Sequence, residues 1–256
     1  MRIIAVIPAR MASSRFPGKP MAKIHGMPMI GHCYHRVSMC ETLSQTYVAT
    51  CDQEIFDYIQ SIGGNAVMTA ATHERASDRA AEAMLKIEET SKQRTDILVM
   101  VQGDEPMDRP EMIDEALAPM LEDPTVEIVN LMGEIDNEVD FEDPNTVKVV
   151  TDGDSNAIYF SREPIPSRKK GVEDVPKRKQ ICVIPFLRDF LIRFNETPEM
   201  PLERIESVDM LRIIETGGKI RMAVTEHPTI GVDTPEHLAR VERLMENDGL
   251  MNEYLS

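Results

Sequence analysis

The sequence predicts an α/β protein built on a mostly parallel central sheet with helices on both faces. Three observations carry that prediction. Short, continuously apolar runs such as Ile3–Ile7 and Ile97–Val101 read as strands buried on both sides. Segments with apolar residues at helical spacing alternate with them, the pattern of right-handed crossovers within one sheet. Polar stretches containing Gly or Asp follow the strands at their carboxyl ends, where such sheets hold their ligands.

In order, Ile3–Ile7 is the first strand, and Pro8 is expected to break its ladder. Met29, Ile30, Cys33, Val37 and Cys40 place a helix over Pro28–Cys40. Tyr47–Ala49 is a second strand, and Asp52 is a candidate cap for a helix carrying Ile55, Ile59 and Ile62, stopped by Gly63 and Gly64. Ala66–Met68 is a third strand. Ser77 or Asp78 opens a helix with Ala80, Ala83, Met84 and Ile87 on one face. After the fourth strand, Ile97–Val101, a helix follows Pro110, and Pro119 is expected to kink or split it.

Glu127–Leu131, Val147–Val150 and Ala157–Phe160 are further strands, the first two joined by the polar stretch Asp136–Asn145. Pro164–Gln180 is rich in Pro and charge and reads as a mobile excursion. Ile181–Phe186 returns to strand, helices cover Leu187–Asn195 and about Glu203–Thr216, and Lys219–Val224 is a last strand. Thr234 then suits an N-cap and Pro235 a first helical position, with Leu238, Val241, Leu244 and Met245 as the buried stripe. The whole chain, 1–256, reads as one domain with the excursion at about 164–180.

Composition narrows the partners. Lys and Arg total 28 against 44 Asp and Glu, a net charge of −16 that repels nucleic acid and anionic membrane alike. An anionic ligand therefore has to be met by a local basic cluster, which favours a small one. No apolar run is long enough to span a membrane and no leader pattern opens the chain, so a cytoplasmic protein is expected. The 4 cysteines form no C-x-x-C pair and read as reduced thiols.

One basic cluster exists. Between Arg2 and Glu41 there is no acidic residue, and the loop after the first strand holds Arg10, Ser13, Arg15, Gly18 and Lys19. Backbone N–H groups at Gly, guanidinium forks and a Lys point charge suit a polyphosphate. The spacing matches neither the P-loop nor the dinucleotide fingerprint, since Lys19 precedes Pro20 and the loop has a single Gly. Asp104 and Asp233 each follow a strand. They could share a magnesium ion bridging a nucleotide's phosphates, or each could merely accept local backbone bonds at a turn or helix start.

The run Ile7 to Pro20 resembles the opening of the 3-deoxy-manno-octulosonate (Kdo) cytidylyltransferases. The likeness continues in order through Val101–Pro106, Asp143–Val150, Tyr159–Pro166, Pro201–Ser207 and Gly231–Glu236. It implies a Rossmann-like nucleotidyltransferase with a smaller sugar-binding and dimerisation subregion. Such an enzyme would be a cytoplasmic, Mg²⁺-dependent homodimer making CMP-Kdo and pyrophosphate from CTP and Kdo for lipopolysaccharide biosynthesis. At matching positions, Arg10, Lys19 and Asp104 would be catalytic. Ala9, Arg10, Ser13, Arg15, Lys19 and Arg79 would bind the nucleotide, and Asp104 and Asp233 the metal. Gln102, Arg162, Gln180 and Glu206 would face the sugar, Arg162 gripping its carboxylate.

Three segments depart from the family pattern. His73–Arg79 carries Arg75-Ala76 where Ser-Gly is usual, Cys51 replaces an Asp, and Gln180 stands where many members have His. These departures motivate two alternatives. One is the same chemistry on a related acidic sugar such as 8-amino-Kdo, and the other is a non-catalytic sugar-nucleotide-binding homologue.

Overall fold

The computed structural model describes residues 1–12, 15–172 and 175–255, which fall into two compact units. The first unit, Met1–Asp114 with Pro228–Ser256, starts with β1 (Ile3–Ala9), a short 3₁₀ turn at Lys19–Met21, and a small hairpin of β2 (Lys23–Ile24) and β3 (Met27–Pro28). It continues through α1 (Met29–Ser38), β4 (Gln45–Thr50), α2 (Gln53–Ser61), β5 (Ala66–Met68), α3 (Ala76–Ser91) and β6 (Ile97–Val101). The next helix, α4 (Pro110–Glu122), contains Pro119 and runs on as one element, so the proline does not split it.

Within this unit the strand order is β6-β1-β4-β5, and every pairing is parallel. Ile3 to Ile7 are all buried, and since successive strand residues point to opposite faces, both faces of the sheet are covered. Pro8 does not end β1, which stays in register with β4 through Ala9↔Thr50. The Pro8 carbonyl faces Gly103, so its missing N–H lies on the side where pairing with β6 has already stopped at Val6↔Met100. No ladder bond is lost there.

The second unit, Glu115–His227, holds β7 (Val129–Glu134), α5 (Glu138–Glu142), β8 (Lys148–Thr151), β9 (Ala157–Ser161), β10 (Arg178–Ile181) and β11 (Val183–Leu187). Three helices follow, α6 (Arg188–Glu196), α7 (Pro201–Glu206) and α8 (Leu211–Glu215), and then β12 (Arg221–Thr225). Its sheet, ordered β12-β7-β10-β8-β9, is mixed: β12 and β7 are parallel, and the remaining pairs are antiparallel. The parallel rule thus describes the first unit and not this one.

Several boundaries move as a result. The end of the expected excursion, Arg178 to Gln180, is strand β10, and Cys182 separates it from β11. The single helix expected over 203–216 is two, divided at Ser207, whose left-handed backbone (φ 53°) cannot continue a helix. The polar link 136–145 contains α5, capped by the Asn137 side chain, which accepts the Asp140 N–H. Thr234 caps α9 (Pro235–Met245) as expected, accepting from His237 N–H. A last helix, α10 (Gly249–Leu255), was not anticipated.

Alpha10 is held to the first unit by a buried cation. Arg36 is 1% exposed and meets Asp248 and the Tyr254 hydroxyl, while His32 Nδ1 lies 2.8 Å from that hydroxyl. Burial lowers His32 to about 4, so it stays neutral near pH 7. In the second unit, Arg212 forks onto the fully buried Glu203 at 2.6 and 2.7 Å and also donates to the carbonyls of Phe194 and Thr197. Arg212→Ala would strand that carboxylate, so urea unfolding should show a loss of roughly 3–5 kcal/mol.

A second stability prediction comes from α3. Burial would raise the Glu82 carboxyl, but Lys86, the Ala70 N–H and His73 outweigh it and hold the group at about 2. A carboxyl depressed on folding gives stability that is complete above its ordinary 4.5 and lost as pH falls toward about 2. The urea midpoint should therefore fall across that window, and Glu82→Gln should fall less steeply there.

Candidate active site

The basic loop grows out of the carboxyl end of β1. Ala9, the last strand residue, is buried, while Arg10 is exposed and its Nη1 lies 3.5 Å from the His73 carbonyl. Gly18 adopts φ 74°, a left-handed conformation that glycine reaches without steric cost. Its N–H donates to the Met11 carbonyl at 3.1 Å, closing the loop immediately before Lys19. Ser13 lies outside the described residues.

Lys19 is the hub. Its ammonium sits 2.7 Å from Asp104 Oδ2 and 3.4 Å from Asp233 Oδ1. Arg15, half-exposed, meets the same Asp233 oxygen at 2.9 Å. Burial alone would push Lys19 down, but the two carboxylates, Asp104 foremost, more than offset it, and its pKa is raised. Residues 85 and 214 positions apart in sequence are thereby joined to one cation. Both aspartates reach toward the basic loop through their carboxylates.

The backbone explains why the two aspartates meet. Asp104 follows β6 in a tight turn, and a Cβ on Gly103 would come within 2.9 Å of Ile30 Cδ1 and 3.2 Å of the Pro8 carbonyl. Glycine is what lets the turn lie against the end of β1. The Asp104 carbonyl accepts the N–H of Val232, the residue before Asp233, at 2.8 Å. A second tie joins the same segments: the Thr229 hydroxyl lies 3.3 Å from Glu105 and 3.2 Å from Asp108. Burial, with Glu105 next to it, raises the Asp108 carboxyl well above its usual range.

A donor set of this kind suits one class of metal. Among the described residues no group of three or more His, Cys, Asp or Glu side chains could hold a metal ion. Magnesium does not need one, because it binds through one or two carboxylates with water and phosphate oxygens filling its octahedron. The Asp104 and Asp233 pair fits that requirement.

Arg79, in the first turn of α3, is 2% exposed. Its Nη1 donates to Thr69 Oγ1 at 2.5 Å and toward the Ala70 carbonyl at 3.4 Å, and its Nη2 is buried without a hydrogen-bond partner among the described residues. Glu82 holds the same loop from the other side, accepting the Ala70 N–H at 2.8 Å and lying 2.5 Å from His73 Nε2. Gln102 is half-buried just beyond β6.

The remaining predicted residues lie in the second unit. Arg162, expected to grip a sugar carboxylate, spends its guanidinium on backbone carbonyls: Glu206 at 2.5 Å, Pro144 at 2.8 Å and Ser207 at 3.3 Å. Glu206 returns the contact, accepting Arg162 N–H at 2.8 Å and facing the hydroxyls of Ser161 and Tyr159. Gln180 Nε2 donates to Asn130 Oδ1 at 2.6 Å, and Asn130 itself is fully buried. Here Arg162 and Glu206 lock the end of β9 to the end of α7.

Sequence reasoning missed Lys148, Asn130 and Thr229. Lys148 is fully buried and donates to the carbonyls of Asp143, Thr146 and Arg162 at 2.6–2.9 Å. A Lys inside an otherwise apolar strand was the available signal, since such a charge persists only if paired or hydrogen-bonded.

Residues 4–220 match the family described as cytidylyltransferase. The 3-deoxy-manno-octulosonate cytidylyltransferase of Syntrophotalea carbinolica is 44% identical over 250 residues, covering 94% of this chain and 98% of the relative. That of Geobacter metallireducens is 41% identical over 251 residues, covering 94% and 96%. The solved structure of CMP:2-keto-3-deoxy-manno-octonic acid synthetase complexed with CTP superposes with a TM-score of 0.86 at 37% identity, over 96% of this chain and 98% of that one. A 4-diphosphocytidyl-2C-methyl-D-erythritol synthase from Anaerococcus prevotii, 12% identical with a TM-score of 0.62 over 96% of this chain and 97% of that one, shares the fold. With residues 4–220 matched by the cytidylyltransferase family and its relatives matched nearly end to end, the chain belongs to the 3-deoxy-manno-octulosonate cytidylyltransferase family.

Proposed function

We infer that this protein transfers a cytidylyl group from CTP to the anomeric hydroxyl of 3-deoxy-manno-octulosonate, giving CMP-Kdo and pyrophosphate. The observation that carries this reading is the meeting of Asp104 and Asp233 on Lys19, at the base of a loop rich in cations. The names of the end-to-end relatives supply the substrates. CTP is a cytoplasmic nucleotide and CMP-Kdo a precursor of lipopolysaccharide, so the reading carries that location and role with it.

The charges suggest how substrate enters. The two carboxylates are balanced by Lys19 and Arg15, the cations whose chemistry suits phosphate oxygens. Binding of the triphosphate would exchange partners: Lys19, Arg15 and Arg10 turn to phosphate, and Asp104 and Asp233 are freed for magnesium. A magnesium ion held by those carboxylates would neutralise phosphate charge and lower the proton affinity of a hydroxyl beside it.

The reaction needs no covalent enzyme intermediate. The sugar hydroxyl oxygen bonds to the α-phosphorus, the bridging P–O bond breaks in line, pyrophosphate leaves, and the hydroxyl proton passes to solvent. Bringing two anions together is the main obstacle, and Arg10 and Lys19 lower it by offering fixed positive charge where negative charge accumulates. Arg79 braces the segment after β5, on the side where the family resemblance puts the base.

Pyrophosphate release measured with CTP, Mg²⁺ and Kdo tests the reading. Asp104→Asn should cut turnover by at least about 10²-fold, the scale of losing one preorganised electrostatic contact, with the melting temperature little changed. Substantial remaining activity in that variant would show that the carboxylate pair is not the reactive centre. No release by the wild type with Kdo or another 2-keto sugar acid would remove the transferase reading altogether.

A further inference from the structure

Asp52 occupies the N-cap position of α2 with an extended backbone, yet its side chain makes no cap bond to that helix. Its Oδ2 instead accepts the backbone N–H of Met11 at 2.8 Å, across 41 positions of sequence. The Cys51 thiol points at the same oxygen at 3.6 Å. On the other side of Met11, its carbonyl accepts the Gly18 N–H at 3.1 Å. Met11 is therefore held through both of its backbone groups, and the flanking residues are the two cations: Arg10 directly precedes Met11, and Lys19 directly follows Gly18.

The anchor is fixed. The Asp52 N–H donates to Thr50 Oγ1 at 3.1 Å, and Thr50 is fully buried at the end of β4, in register with Ala9 of β1. The neck of the basic loop is thus tied to the carboxyl edge of the parallel sheet. We propose that Asp52 is a positioning residue for this loop: its carboxylate closes the neck at Met11 and so sets where Arg10 and Lys19 point. The proposal deepens the assignment of this loop to the CTP triphosphate and rests on it.

Two roles for Asp52 predict opposite signs. Acting only as a charge, a carboxylate here repels the triphosphate, so its removal would tighten CTP binding. Acting as an acceptor, it preorganises the cations, so its removal weakens binding, while Asn, which keeps a side-chain oxygen, restores it. No helix cap is lost in either variant, since Asp52 makes none.

Steady-state kinetics and amide exchange of the 10–19 segment, followed by mass spectrometry, separate these. Asp52→Ala should raise the KM for CTP about tenfold, the loss of one charge-assisted hydrogen bond, with kcat changed much less. Exchange of the segment should rise by a similar factor. Asp52→Asn should stay within about threefold of wild type in both. A KM for Asp52→Ala that is unchanged or lower, unchanged exchange, or an Asn variant as impaired as the Ala variant would each overturn the proposal. The exchange measurement needs no turnover, so a wild type inactive with CTP would count against the functional reading while the tether is still tested.

Discussion

One ammonium group holds this site together. Lys19 meets Asp104 and Asp233 from distant parts of the chain, and without it Arg15, which reaches Asp233, would be left to balance two carboxylates tied by their own backbones. The Val232 to Asp104 backbone bond makes that approach unavoidable, because it fixes the two segments side by side whatever their side chains do. The contact is half-buried, so it is less screened than a surface ion pair. It also places a cation where a triphosphate can compete for it and leaves an acidic pair suited to a hard divalent ion.

The rest of the first unit serves that arrangement. A parallel sheet gathers the ends of β1, β4, β5 and β6 at one edge, and each contributes what its loop carries: cations from β1, the Asp52 tether from β4, the Arg79-braced loop beyond β5 and Asp104 from β6. Glycine is needed at two points for steric reasons, at Gly103 for close approach and at Gly18 for its left-handed turn. In the second unit Arg162, Glu206 and Lys148 hold loop ends through backbone carbonyls and N–H groups.

Much of this was legible in the sequence because the signals are local. Five consecutive apolar residues at Ile97–Val101 are a buried strand wherever they occur, and Thr234-Pro235 fixes a helix start by hydrogen-bond chemistry alone. The cationic loop and Asp104 at the end of β6 were readable for the same reason, whereas Asp233, expected to follow a strand, lies beyond the end of β12 at Thr225 and directly before Thr234, the cap of α9. What was not legible depends on distant partners. Pro8 continues its strand because its neighbour has already ended, and Asp52 caps nothing because Met11 claims its carboxylate. The guanidinium of Arg162 is claimed by carbonyls 18 to 45 positions away. The second sheet departs from the first because no helix separates β8 from β9, so that pair closes antiparallel through a short connection, unlike the helix-spaced parallel strands of the first unit.

Lys19 and the two carboxylates act as one unit. A double-mutant cycle on kcat/KM for CTP with Lys19→Met and Asp233→Asn tests it most directly. The double variant should lose less than the two single losses combined, with a coupling of about 1 kcal/mol or more. Effects that add to within roughly 0.5 kcal/mol, as for residues that do not share a partner, would contradict it.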